Sequence, residues 1–203
     1  MSGKYMNKIS DAISAYKECD DTGRSSYRSL LRDVIDSGSA MVVNNHSYAD
    51  ALELTSEMMA RANKSFCMFI GGGVENFLEV LKTPFSEMLQ RLKMYNGQAR
   101  IIVLGVDDAP FLEEIKKENS ESFDFKTAHL KPGLEKIKMH FTVADTFMCR
   151  VEEPHDPITE ESPADSIRAK VYFNDSEKAE SYNREFDVYW NSLSKREAEK
   201  MKP

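Results

Sequence analysis

Between Tyr48 and Asn63 the apolar side chains recur at Ala51, Leu54, Met58, Met59 and Ala62, the spacing of a helix with one buried stripe. The next run, Ser65 to Ile70 (SFCMFI), shows no polar alternation, which is how a strand covered on both faces reads. Gly71, Gly72 and Gly73 follow it, and a helix with Phe77, Leu78 and Leu81 begins just beyond. Thr83 and Pro84 then read as the N-cap and first residue of a restarted helix. Its buried face is Phe85, Met88, Leu89, Leu92 and Tyr95, and Asn96-Gly97 closes it with a left-handed cap. Arg100 to Leu104 (RIIVL) is a second buried strand, Asp107 to Ile115 a short helix with Pro110 in its first turn, and Phe123 to Thr127 a third strand. Strands alternating with helices predict an α/β fold: a layered, mixed, largely parallel sheet flanked by helices.

The flanks follow the same logic. Lys4 to Cys19 and Arg24 to Asp36 have helical periodicity, with Ile9, Ile13 and Tyr16 on one face of the first helix and Tyr27, Leu30, Leu31, Val34 and Ile35 on one face of the second. Asp20, Asp21 and Gly23 punctuate the join, so residues 1–38 are expected to form an N-terminal helical hairpin that caps the core or offers a partner surface. Ala40 to Val43 reads as an edge strand. Met139 to Ala144 and Met148 to Val151 read as two short strands around a tight turn. Glu152 to Asp165 (EEPHDPITEESPAD) holds six carboxylates and three prolines, the composition of a solvated, extended loop. Ile167 to Phe173 is a closing strand. Asn174, Asp175 and Ser176 are candidate caps of a final helix to Ser192, with Ala179, Tyr182, Phe186, Tyr189 and Trp190 inward. The expected organisation is a hairpin over 1–38, an α/β domain over 39–195 and a flexible tail over 196–203.

Composition narrows the class. The chain has 203 residues, 41% of them apolar and 30% charged, enough for a sizeable core. A net charge of −7 argues against a general nucleic-acid scaffold, because phosphate binding needs a surplus of Lys and Arg. Cys19, Cys67 and Cys149 are scattered without a pairing framework, which suits a reducing, cytoplasmic setting. No stretch approaches the ~20 apolar residues of a membrane span.

Candidate chemistry concentrates in Lys136 to Glu152 (KIKMHFTVADTFMCRVE), where Lys138, His140, Asp145 and Arg150 fall on one predicted hairpin. Period-two alternation puts Lys138, His140 and Thr142 on one strand face. His140 is expected to hydrogen-bond Asp145 or Glu152, and Arg150 to pair with one of the same two carboxylates. Gly72 and Gly73 stand between a strand and a helix, where backbone N–H groups can cradle an anion. They form no Walker loop, since no Lys-Ser or Lys-Thr follows, and Glu75 and Asn76 compete for those amides. His46, His129, His140 and His155 make no metal-ligand spacing with a cysteine or carboxylate pair, so neither metal nor cofactor is expected.

The SFCMFI and RIIVL strands, the hairpin, and the sequence AKVYFNDSEKAESYNREFDVYW resemble a single phospholipase D-like domain over about residues 39–193. Active members carry His-x-Lys, four residues and then Asp, followed by Gly-Ser on the return strand. The resemblance implies that His is the nucleophile, Lys holds the phosphate oxygens and Asp tunes the His. With the Asp at Asp145, His140 occupies the family's Lys position and Lys138 its His position, and Arg150-Val151-Glu152 stands in place of Gly-Ser. A Lys ammonium of pKa ~10.4 is a poor nucleophile at pH 7. His140 would attack from about 6.6 Å further along the strand. The family also uses two copies of the motif, which here requires a homodimer. The resemblance therefore implies a catalytically inactive module that acts through a bound ligand or a protein partner, engaged by the acidic loop 152–165 or the N-terminal helices. Its alternatives are a homodimeric, metal-independent phosphodiesterase with His140 as nucleophile, and an acidic inhibitor of a basic protein.

Overall fold

The computed structural model of the chain describes residues 8–18, 29, 31–71, 74–129, 140–155, 158, 159 and 161–200. They form one seven-stranded sheet in the order β1-β7-β6-β5-β2-β3-β4. The strands are β1 (Met41–Asn45), β2 (Ser65–Gly71), β3 (Gln98–Leu104), β4 (Phe123–Ala128), β5 (Phe141–Ala144), β6 (Met148–Glu152) and β7 (Ala169–Phe173). The helices are α1 (Ile9–Glu18), α2 (helical over 31–36), α3 (Tyr48–Arg61), α4 (Val74–Val80), α5 (Lys82–Met94), α6 (Pro110–Asn119) and α7 (Ser176–Lys200).

The expected mixed α/β architecture holds, but the sheet is not largely parallel: four of its six strand pairs run antiparallel, and its two halves differ in direction. β2, β3 and β4 are parallel, joined by crossovers through α4–α5 and α6. The remaining neighbours, β2–β5, β5–β6, β6–β7 and β7–β1, are antiparallel. A helical crossover is needed only where strands run the same way. β1 lies at the sheet edge, as its short apolar run predicts.

Because the sheet is covered on both faces, its central strands are apolar at consecutive positions. One face packs on α1–α6, burying Phe66, Met68, Ile101, Phe123 and Phe173 with Leu52, Leu54, Met58, Leu78, Phe85 and Leu89. Ile9, Leu31 and Ile35 join that same core, and Arg32 and Arg61 pair with the buried Glu57. The opposite face carries Phe69, Ile102, Phe141, Val143 and Cys149, and α7 covers it with Ala179, Phe186 and Trp190.

Four local expectations change. α5 begins at Lys82 with Leu81 as its cap, so Thr83 is not the N-cap. The Phe85 N–H already donates to the Leu81 carbonyl, and Pro84 falls within the first turn, where a missing N–H is harmless. α6 starts at Pro110 after Ala109, while Asp107 is drawn away to His129 at 2.8 Å. At the start of α7 the capping oxygen is that of Asp175, which accepts the Lys178 N–H at 2.9 Å. Asn174 has φ 55° and donates to the carbonyls of Ile35 and Ser39 instead, and α7 runs on to Lys200. The segment from Glu152 to the start of β7 is also less solvated than its composition suggests. Glu152, Ala164 and Ile167 are buried, and the Tyr48 N–H donates to the Ala164 carbonyl at 2.8 Å. Two of its carboxylates thus have assigned partners, since Glu161 pairs with Lys8 at 2.5 Å and Glu152 enters the site below.

Candidate functional site

In an open sheet with parallel strands, side chains that act on ligands gather where the strands end at their carboxyl termini. Here that rim is the end of β2, and antiparallel pairing brings the start of β5 and the end of β6 to the same place. His140 sits one residue before β5, and its carbonyl accepts the Glu152 N–H at 2.8 Å, which extends the ladder by one rung. The rung continues through Ala169 of β7 to Asn45 of β1.

A polar chain of side chains lies along this rung. His140 Nδ1 stands 3.0 Å from Glu152 Oε2, and His155 Nε2 stands 3.2 Å from that same oxygen. Arg150 Nη1 donates to Glu152 Oε1 at 2.5 Å, while its Nε and Nη2 both donate to Asn45 Oδ1 at 3.0 Å. Arg150 lies two residues before Glu152 and so projects from the same face. Its guanidinium passes over β7 at the rung where that strand carries only the methyl of Ala169. The other end of the chain meets Gly71, where a Cβ would stand 3.0 Å from His140 Cε1 and Nε2. A larger residue there would push the imidazole away.

Glu152 is 4% exposed and Arg150 3%, so both charges are fully desolvated and depend on one another. Burial alone would push the Glu152 carboxyl up. The Arg150 charge and the hydrogen bonds from His140 and His155 outweigh it and hold that carboxyl well below the ordinary range.

Of the predicted site residues, the fold brings His140 and Arg150 together and takes Asp145 elsewhere. Glu152, not Asp145, is the partner of both. Asp145 stands beyond the far end of β5, in the tight turn, with φ 53°. Its carboxylate accepts N–H bonds from Asn63, Lys64 and Ser65 at 2.8–3.2 Å, and its own N–H donates to the Ser65 carbonyl. An Asp so placed shapes the α3–β2 loop and cannot orient His140. A shallow cleft of about 500 Å³ near Asn63, Phe147 and Asn174 also belongs to that end of the sheet. Lys138, Gly72 and Gly73 lie outside the described residues.

The sequence offers Glu152 only as one of two partners for His140 and Arg150, and His155 only as a histidine outside any ligand spacing. Both sit in a carboxylate- and proline-rich run that reads as solvated, and only the register of β6 against β5 and β7 shows that Glu152 turns inward. The one signal in the chain was the Glu152-x-x-His155 spacing at a strand end.

No family model matches the chain, and no curated protein matches it. Solved structures do. The archaeal chromatin protein TrmBL2, described with a novel mode of DNA binding, aligns with TM-score 0.50 and 11% identity over 85% of this chain. The chain spans 62% of that protein's length. Nuc from Salmonella typhimurium, a phospholipase D family member, aligns with TM-score 0.50 and 15% identity over 75% of this chain and 94% of its own. At such identities the likeness is one of architecture. The chain has a phospholipase D-like fold.

Proposed function

We propose that the protein is a phospholipase D-like module that binds a phosphate-bearing ligand at the β2–β5 rim without cleaving it. The carrying observation is the placement of His140. Counted from Asp145, it falls where the resemblance would put the family's phosphate-holding lysine; its Cε1–Nε2 edge faces Gly71, and a buried carboxylate fixes its ring. The position of the attacking histidine holds Lys138, an ammonium unsuited to attack at neutral pH. Titrating the protein with inorganic phosphate and following the His140 ring resonances tests the binding. A saturable shift, lost in a short-chain control without phosphate, is expected, together with no hydrolysis of bis(p-nitrophenyl) phosphate. Unmoved ring resonances up to tens of millimolar phosphate would discard the proposal.

A second reading draws on the same pair. A buried carboxylate on Nδ1 is also how an attacking imidazole is oriented, with Nε2 left to meet phosphorus. Under that reading two copies of the chain meet and His140 is the nucleophile. Phosphodiester cleavage in EDTA that disappears in His140→Ala would establish it, and monomeric sedimentation would argue against it.

A further inference from the structure

We infer that His140, Glu152 and His155 form a binding site for a divalent transition-metal ion, with Zn²⁺ the first candidate. The inference goes beyond the phosphate reading and does not depend on it. The three donor atoms lie within 4.8 Å of one another. For bonds of about 2.0–2.2 Å, ligand atoms around one ion stand roughly 2.9–3.5 Å apart. The two nitrogen–oxygen separations, 3.0 and 3.2 Å, already meet that spacing. Only the separation between the two nitrogens must close. The imidazole rings stand edge to face, at 79° with centroids 5.1 Å apart, so both nitrogens can point at Glu152 Oε2 without stacking.

The donor set is two imidazoles and one carboxylate, which serves catalytic Zn²⁺ and facial-triad Fe²⁺ and leaves positions open. Its surroundings supply the outer contacts such sites use. Arg150 holds Glu152 Oε1 and is itself fixed by Asn45, so the carboxylate presents Oε2 alone. The guanidinium charge opposes a cation nearby, and the site is accordingly one of moderate affinity. Coordination through Nδ1 leaves the His140 ring proton on Nε2, facing Gly71, where the metal-bound site would present a donor to an anionic oxygen.

The test uses the full chain, stripped with chelator and dialysed, and Zn²⁺ alone. Calorimetry is expected to show one ion per chain, and Zn²⁺ at about a hundredfold above Kd to raise Tm by roughly 5–10 °C. Co²⁺ should give visible d–d bands of an imidazole-ligated ion. His155→Ala, a change at a partly exposed side chain, should weaken binding at least about tenfold. His140→Ala should do the same. His129→Ala, which removes the separate surface pair with Asp107, should leave binding unchanged. No stoichiometric binding at millimolar Zn²⁺ overturns the inference. So does binding that survives in both His140→Ala and His155→Ala while each variant keeps its wild-type circular dichroism. Zn²⁺ binding without any phosphate effect leaves the metal site standing and sinks only the phosphate reading.

Discussion

The Asp145 carboxylate gathers three consecutive N–H groups, from Asn63, Lys64 and Ser65, that would otherwise be left without partners as the chain turns into β2. Asn183 of α7 adds a bond to the Asp145 carbonyl at 3.0 Å. Hydrogen bonds to a charged group contribute about 1.5–3 kcal/mol each, and losses within one network are not additive. Asp145→Ala is therefore expected to lower stability by about 2–4 kcal/mol, read from the urea midpoint, while leaving the His140 resonances in place. Asp145→Asn keeps one acceptor oxygen and tolerates the positive φ, so it should lose clearly less. Equal losses in the two variants would remove the charge from the explanation. The buried thiols predict a response to alkali. Burial pushes Cys67 up to about 11 and Cys149 up to about 12. Each holds its proton more tightly folded than unfolded, so their contribution is intact below pH 9 and falls as pH rises toward those values, by about 1.4 kcal/mol per unit and thiol. Unfolding midpoints between pH 8 and 10.5 should fall accordingly, and both thiols should resist alkylation at pH 8 until the protein unfolds.

Two glycines at element ends show how the same substitution acts differently. At Gly71, closing β2, an added Cβ meets, among the described residues, only the tip of the His140 ring. Gly71→Ala should change stability by less than about 1 kcal/mol, since a movable side chain can yield, yet displace the imidazole and weaken binding at the rim. At Gly97, opening the turn into β3, the added Cβ would stand 2.6 Å from the Lys64 carbonyl oxygen and 2.9 Å from that of Asn63. Backbone cannot move aside so readily, and Gly97→Ala should cost about 1–3 kcal/mol. A pair of denaturant curves compares them directly. These elements also show what could be read in advance. The Asn96-Gly97 pair was legible as a left-handed close to α5, and Asn96 does carry φ 52°. The need for glycine at 97 was not, because it comes from a loop more than thirty residues upstream in sequence. α3 and β2 were legible because their patterns are local. The α5 start was not, because Thr83-Pro84 mimics a cap that Leu81 in fact supplies. At the rim, His140 and Arg150 were legible by residue type. Glu152 was legible as one of two carboxylate partners but not as the buried one, since alternation along four or five residues does not say which face of a short strand is covered.

Across the whole molecule, one sheet divides two cores. The helical layer of α1–α6 and the single helix α7 pack on opposite faces, so no strand in the middle of the sheet can be lost without opening both. The N-terminal helices belong to the larger core through Ile9, Leu31 and Ile35. Leu31→Ala should cost about 2–4 kcal/mol by removing a side chain that is 3% exposed. Deletion of residues 1–38 should give a protein of markedly lower Tm. An unchanged Tm would mean that the helices contribute no stability to the sheet domain.

The strand order carries a further consequence. Among the described residues β1 pairs only with β7, whose residues stand roughly 130 positions later. A ribosome adding about 5–20 residues per second needs on the order of ten seconds to make that span. Throughout that interval β1 has no strand to pair with, and the rung that holds Asn45, Glu152 and His140 together cannot form. The polar rim is thus among the last parts of the nascent chain to be assembled, completed only when Ala169 slides between the strands on either side.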